Sequence, residues 1–237
     1  IYNCFTHCGG GNILDFIVKF KQVNIMTAGE IGLDILKCNN IYIEDLINTC
    51  LCVAACRQDI KLVSQQDYLK NRDITCDTAK YFGLGYCKDG YFRNRITFPI
   101  HSDTGKLLCN AYRSADNSTP KYLFKKGFKK NDCLFNFHRI INSNMPIFIV
   151  EGFFGVFKLF QFSLSSIAIM GSSINVNQLN LLKNLNRFYY LLLDGDVAGR
   201  DATFKISILF TSYNINFKPI FIPSETQPDE LNYEYFK

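Results

Sequence analysis

Glu151, Asp194 and Asp196 are the residues of this sequence whose types and spacing could do chemistry. Each follows a short apolar run: Ile147-Phe148-Ile149-Val150 leads into Glu151-Gly152, and Leu191-Leu192-Leu193 leads into Asp194-Gly195-Asp196. In an extended chain, side chains two residues apart point the same way, so Asp194 and Asp196 can converge on one ion. Glu151, at a neighbouring strand end, can complete the cluster. Hard carboxylate oxygens suit Mg²⁺ or Mn²⁺, which keep several waters and bridge to phosphates. Gly195 leaves room for close backbone approach by a ligand. The plainer reading of Asp-Gly-Asp is a turn, because turns favour both residue types. A second carboxylate at an earlier strand end favours the metal site.

A second grouping is basic. Residues 121–130 hold five lysines and no acid, interleaved with Tyr122, Phe124 and Phe128. Lysines neutralise phosphates and aromatic faces can stack bases, which is chemistry for a single-stranded nucleic acid. A solvated charged loop is the alternative for this run taken alone. Cys50, Cys52 and Cys56 fall in an apolar helical pattern that does not put all three on one face, so they read as core thiols.

The elements that must carry these groups follow from periodicity. Helical signals run through the first third of the chain, including residues 43–57 and 65–70. Residues 93–100 and 106–113 read as strands joined by a turn at Ser102-Asp103-Thr104-Gly105. After Pro146, short apolar runs at 147–150, 166–170, 188–193 and 217–222 alternate with helical patterns at 152–162, 176–184 and 198–210. Buried strands alternating with helices predict an α/β fold with a parallel sheet covered on both faces. In such sheets, ligands collect beyond the carboxyl ends of the strands, which is where the three acids lie.

Composition sets the bounds. The 237 residues are 48% hydrophobic and 20% charged, with a formal net charge of +5. That fits a folded chain and excludes a disordered one. The most apolar stretch, residues 147–170, is interrupted by Glu151 and Lys158, which a bilayer would tolerate poorly, so no membrane segment is expected. Ten scattered cysteines in a chain this long suit a reducing, cytoplasmic compartment better than a disulfide scaffold. The sequence opens on Ile1 with no basic leader, so residue 1 is not expected to be the natural start.

The segments Val150-Glu151-Gly152, Met170-Gly171-Ser172-Ser173 and Asp194-Gly195-Asp196-Val197-Ala198-Gly199-Arg200-Asp201 resemble a Toprim domain, the last in its DnaG-primase form. Upstream, residues 93–100 resemble the primase pattern RxRxxFPI, and Thr119-Pro120-Lys121-Tyr122-Leu123 its TPKYL-like segment. At the start, residues 2–16 resemble the second half of a primase zinc ribbon, with Cys4 and His7 on the ligand positions and Cys8 as the alternative.

The resemblance implies a DnaG-type primase: a mixed α/β amino-terminal polymerase subdomain followed by a Toprim domain with a mostly parallel sheet. The implied division is 1–40 for the end of the zinc ribbon and a helical linker, 41–145 for the polymerase subdomain and 146–237 for the Toprim domain. The implied activity is template-directed synthesis of RNA primers on single-stranded DNA from ribonucleoside triphosphates. Glu151, Asp194 and Asp196 would hold Mg²⁺ or Mn²⁺, with Asp229 beside them. Arg93, Arg95, Lys121 and Lys130 would hold template or nucleotide phosphates. Zn²⁺ and a replicative helicase are implied for the full-length protein.

Two positions depart from the family. Gly155 stands where the EGxxD pattern has its acid, and Gln227 opens what is elsewhere DPD, leaving Asp229, with Glu225 close by. Fewer anionic ligands weaken a divalent site. A primase-derived protein of a mobile element with weak or no polymerase activity, or a Toprim nuclease, is therefore the competing expectation.

Overall fold

In the computed structural model the described residues are 2–3, 10–11, 66–116 and 118–236. The chain divides into two compact units, Ile1–Gln58 and Asp59–Lys237. In the first, β1 (Tyr2–Asn3) pairs antiparallel with β2 (Gly10–Gly11). Cys4, His7, Cys8 and the Cys50, Cys52 and Cys56 set lie outside the described residues.

The described part of the second unit begins with α1 (Gln66–Lys70) and α2 (Cys76–Phe82). Thr75 caps α2 by accepting from the Thr78 amide, and Gly83 ends it in the left-handed region that glycine adopts freely. An antiparallel sheet follows, ordered β3 (Gly85–Cys87), β4 (Arg95–His101), β5 (Leu107–Ser114) and β6 (Tyr122–Leu123). β4 and β5 are the strands expected from the alternating pattern, and the Ser102–Gly105 turn joins them, with Gly105 at φ 82°. The lysine run reads through β6 and into a single 3₁₀ turn at Lys130–Asp132. α3 (Phe137–Ile140) closes this part.

The parallel sheet predicted by the strand–helix alternation is present. Its order is β10-β9-β7-β8, every pairing parallel, with β7 (Ile147–Val150) and β9 (Tyr189–Leu191) in the centre. β8 (Ser166–Ala168) and β10 (Phe217–Pro219) are the edges, each shorter than the apolar run that announced it. α4 (Phe153–Gln161), α5 (Val176–Leu185) and α6 (Val197–Ser212) are the crossovers.

Strand alternation divides the core. Phe148, Val150 and Leu192 face one cluster with Phe153, Phe154 and Phe157 of α4, Phe82 of α2 and Phe98 of β4. Ile147, Ile149 and Leu191 face the other, with Leu179 and Leu182 of α5 and Ala202, Ile206 and Phe210 of α6. Both faces of β7 are therefore buried, which is why its sequence is a continuous apolar run. Phe98 is fully buried, with its ring centroid 5.0 Å from that of Phe153 and 5.5 Å from that of Phe157. It joins the antiparallel sheet to α4, and truncating such a ring costs about 3–5 kcal/mol. Cys87, Cys109 and Cys133 are buried thiols, as core readings of cysteine require. Among the described residues, no helix is long and apolar enough to cross a membrane.

Candidate active site

Glu151 follows β7 directly, and Asp194 follows β9 by three residues, so the parallel register brings both to one sheet end. Glu151 Oε1 accepts from the Asp194 amide at 3.4 Å. Burial, then the Asp194 charge, pushes the Glu151 carboxyl up to about 7. Burial, then Asp196 and Asp229, pushes Asp194 up to about 6, with Lys121 opposing. These acids crowd one another, and Lys121 offsets only part of the upward shift on Asp194, so a bound cation would relieve both carboxylates.

The remaining acids are engaged elsewhere. Asp196 is the N-cap of α6, and its Oδ1 accepts from the Gly199 amide at 2.7 Å. Asp229 Oδ2 lies 2.8 Å from Arg72 Nη1. Accordingly, no three His, Cys, Asp or Glu side chains among the described residues are arranged to hold a metal ion as they stand. The donor set nonetheless fits a hard divalent cation: Glu151 and Asp194 are available, and Asp196 spends only Oδ1 on its cap.

The glycines of the aspartate loop serve its own backbone. A Cβ on Gly195 would overlap the carbonyl oxygen of Pro223, and one on Gly199 that of Asp194. The space expected at Gly195 for a ligand is thus filled by residues 223–226, whose Thr226 carbonyl accepts from the Gly195 amide at 2.8 Å. Arg200 fastens the loop from α6, donating to the carbonyls of Gly195 and Ile222.

A cleft of about 240 Å³ opens at this sheet end, with Arg72, Arg113, Lys121 and Lys130 facing Glu151, Asp194 and Asp229. Lys121 is pulled below its ordinary pKa by burial and then by Arg113 and Arg72, while Asp194 and Asp229 act the other way. Arg113 donates to the Tyr68 hydroxyl at 2.9 Å and lies 4.9 Å over the Tyr122 ring. Gly155 and Gln227, the two departures, line the same cleft. Gly155 packs against Val150: an added Cβ would meet the Val150 Cβ at 3.2 Å.

The basic residues singled out in the sequence separate into two groups. Lys121 and Lys130 face the acids. Arg93 is exposed and outside the cleft lining. Arg95, expected at a phosphate, is buried, with 5% of its surface exposed, and donates to the carbonyls of Pro120 at 2.9 Å and Tyr112 at 3.4 Å. Its guanidinium is spent on backbone oxygens beneath the lysine segment. Sequence reasoning missed Arg72 and Arg113. Arg113 lies in order among the primase-like segments, which was the available signal. Arg72 had none, because its partner is 157 residues away.

Two family descriptions match the chain in succession: "DNA primase catalytic core, N-terminal domain" over residues 89–141 and "Toprim-like" over residues 148–232. The DNA primase of Buchnera aphidicola subsp. Baizongia pistaciae is 28% identical, across 97% of this chain and 50% of that protein. The DNA primase of Clostridium acetobutylicum is 27% identical, across 98% and 48%.

The chain belongs to the DnaG-type primase family.

It spans about half the length of those relatives. Among solved structures, the zinc-binding and RNA polymerase domains of the Aquifex aeolicus primase superpose with a TM-score of 0.72 at 21% identity, over 99% of this chain and 76% of that one. A DnaG primase catalytic domain bound to single-stranded DNA gives 0.66 at 23% identity, over 77% and 72%. Those likenesses show the fold, which in this chain is an antiparallel sheet ahead of a parallel one. The two departures from the family pattern, Gly155 and Gln227, sit together in its cleft.

Proposed function

We propose that this chain is the core of a DNA primase, joining ribonucleoside triphosphates on a single-stranded DNA template by metal-dependent nucleotidyl transfer. The observation that carries the reading is the cleft in which Glu151 and Asp194 face Lys121 and Lys130 across about 240 Å³. Glu151, Asp194 and Asp196 would hold Mg²⁺ or Mn²⁺, which supplies charge stabilisation at the reacting phosphate. The primer 3′-oxygen forms a bond to the α-phosphorus as the bond to the bridging oxygen breaks, releasing pyrophosphate, while the hydroxyl proton passes to solvent.

The chain's own cations do the positioning. Lys121 and Lys130 bind phosphate oxygens, and Arg113, steered by Tyr68 and Tyr122, presents a fixed guanidinium beside them. Phe124 and Phe128, with ring centroids 5.9 Å apart, offer stacking faces for unpaired bases. The boundaries 1–40, 41–145 and 146–237 remain our division of the chain. Cys4 and His7, with Cys8 as the alternative, form our proposed half of a zinc site, and we infer a replicative helicase as partner and the cytoplasm as the place of action.

The test is incorporation of labelled ribonucleotide on a single-stranded template. Asp194→Asn or Glu151→Gln should lower it at least about a hundredfold, in the range found when groups acting on the transition state are removed. Incorporation that survives both changes rejects the assignment. Template cleavage without synthesis would make the chain a nuclease.

A further inference from the structure

Arg72 places a positive charge on the acidic side of the cleft. It follows α1, and its guanidinium carbon lies 4.5 Å from the Phe154 ring centroid and 5.6 Å from that of Tyr68. Its Nη1 reaches Asp229 Oδ2 at 2.8 Å, with side-chain exposures of 29% and 9%. A pair so shielded keeps much more of its attraction than a surface pair does. The aromatic face beneath it fixes the orientation of the guanidinium.

The segment that carries Arg72 is itself held in place. Gln161, at the end of α4, donates to the Asp73 carbonyl at 2.8 Å and accepts from the Thr75 amide at 2.8 Å and the Thr78 hydroxyl at 3.0 Å. Arg72 is therefore part of the site's frame. At its end of the cleft, Gly155 and Gln227 supply no charge, which leaves Asp229 as the carboxylate facing it. One carboxylate already neutralised by a guanidinium has little left to offer a divalent ion. A second ion there would also meet the repulsion of Arg72, Arg113 and Lys121.

We propose that Arg72 is a built-in cation standing where a second divalent ion would otherwise sit, so that the cleft takes a single Mg²⁺ or Mn²⁺. The proposal rests on the reading of the cleft as a metal-dependent nucleotidyl-transfer site. Asp229 then belongs to Arg72 and is not a metal ligand. A guanidinium never deprotonates and offers a planar fork to phosphate oxygens, so it supplies charge and geometry without metal coordination.

Manganese bound by the 237-residue chain can be counted from the loss of the free-ion electron paramagnetic resonance signal as Mn²⁺ alone is titrated. We expect one ion per chain for the unaltered protein and for Arg72→Lys, and two for Arg72→Gln. The second should vanish again in Arg72→Gln with Asp229→Asn. Circular dichroism checks that each variant is folded. A folded Arg72→Gln that still takes one ion overturns the inference and leaves the metal site standing, and two ions on the unaltered chain overturn it as well. Should Arg72→Gln not fold, Asp229→Asn alone decides. An affinity within about twofold supports the proposal, and a tenfold loss, about 1.4 kcal/mol, overturns it. Absence of manganese binding to the unaltered chain, or binding indifferent to Glu151→Gln, overturns the metal reading of the cleft itself.

Discussion

At Gly195 an added Cβ would overlap the carbonyl oxygen of Pro223, and at Gly199 that of Asp194. Backbone oxygens cannot rotate away as a side chain can, so Gly195→Ala should destabilise the protein by about 1–3 kcal/mol, read as a lower urea midpoint. Gly155 differs, because its neighbour is the Val150 side chain at 3.2 Å, which has to give only a few tenths of an ångström. Gly155→Asp should therefore fold with a smaller loss and place a new carboxylate on the cleft wall. For the acids themselves, calorimetric titration with Mn²⁺ should show binding weakened at least tenfold, about 1.4 kcal/mol, by Glu151→Gln or Asp194→Asn. Equal binding by both variants would remove them from the ligand set. The sequence makes these residues conspicuous through their place after apolar runs. What it does not convey is that Asp196 is turned into the cap of α6 and Asp229 into an ion pair, since both depend on where amides and a distant guanidinium come to lie.

The elements were legible to different degrees. β7, α4, α5 and α6 agree with their periodic patterns within about two residues, because both faces of the central strands are buried and the apolar signal is unbroken. β8 and β10 are shorter than their apolar runs, whose ends continue past the last ladder pair. The lysine segment was the least legible. It carries no periodic signal, and its shape is set by β6, whose Arg113–Tyr122 and Tyr112–Leu123 pairings hold it against β5. That attachment puts Lys121 and Lys130 on the cleft and leaves Lys126 and Lys129 outside its lining. Binding of single-stranded DNA should then fall with salt at a logarithmic slope of about 0.7 per phosphate contacted. Lys121→Ala and Lys130→Ala should each reduce that slope by under about one unit without changing sequence preference, and Lys126→Ala should reduce it less. Fluorescence anisotropy across a salt series distinguishes these outcomes, and identical slopes in all three variants would contradict the placement.

Across the whole second unit, the junction between its two sheets carries a titratable pair. His101, at the end of β4, and His138, in α3, have ring centroids 4.6 Å apart. Burial, then the charge of Arg139, holds both below the ordinary histidine pKa, His138 down to about 4. The unfolded chain takes up a proton near 6.5, before the folded chain does, so this contribution to stability is complete above 6.5 and is lost as pH falls toward 4. Glu151 and Asp194, raised to about 7 and about 6, act in the opposite direction without metal: the folded chain takes up their protons first as pH falls. Chemical denaturation without metal should therefore show a smaller acid loss of stability between pH 6.5 and 4 in His138→Phe, and a steeper one in Glu151→Gln. Parallel pH profiles for both variants and the unaltered chain would contradict these assignments.

Arg95 has a consequence that reaches beyond its own burial. By holding the Pro120 carbonyl while the Ser114 amide holds that of Lys121, it immobilises the backbone beside Lys121, the lysine proposed above to bind phosphate, before any phosphate would arrive. Ordering a residue's backbone costs about 1–2 kcal/mol, and here that entropy is lost during folding and not at each binding event. Arg95→Lys keeps the charge and shortens the reach, so it should weaken DNA binding through a less favourable binding entropy while the salt slope stays unchanged. Calorimetry would register that loss of binding entropy.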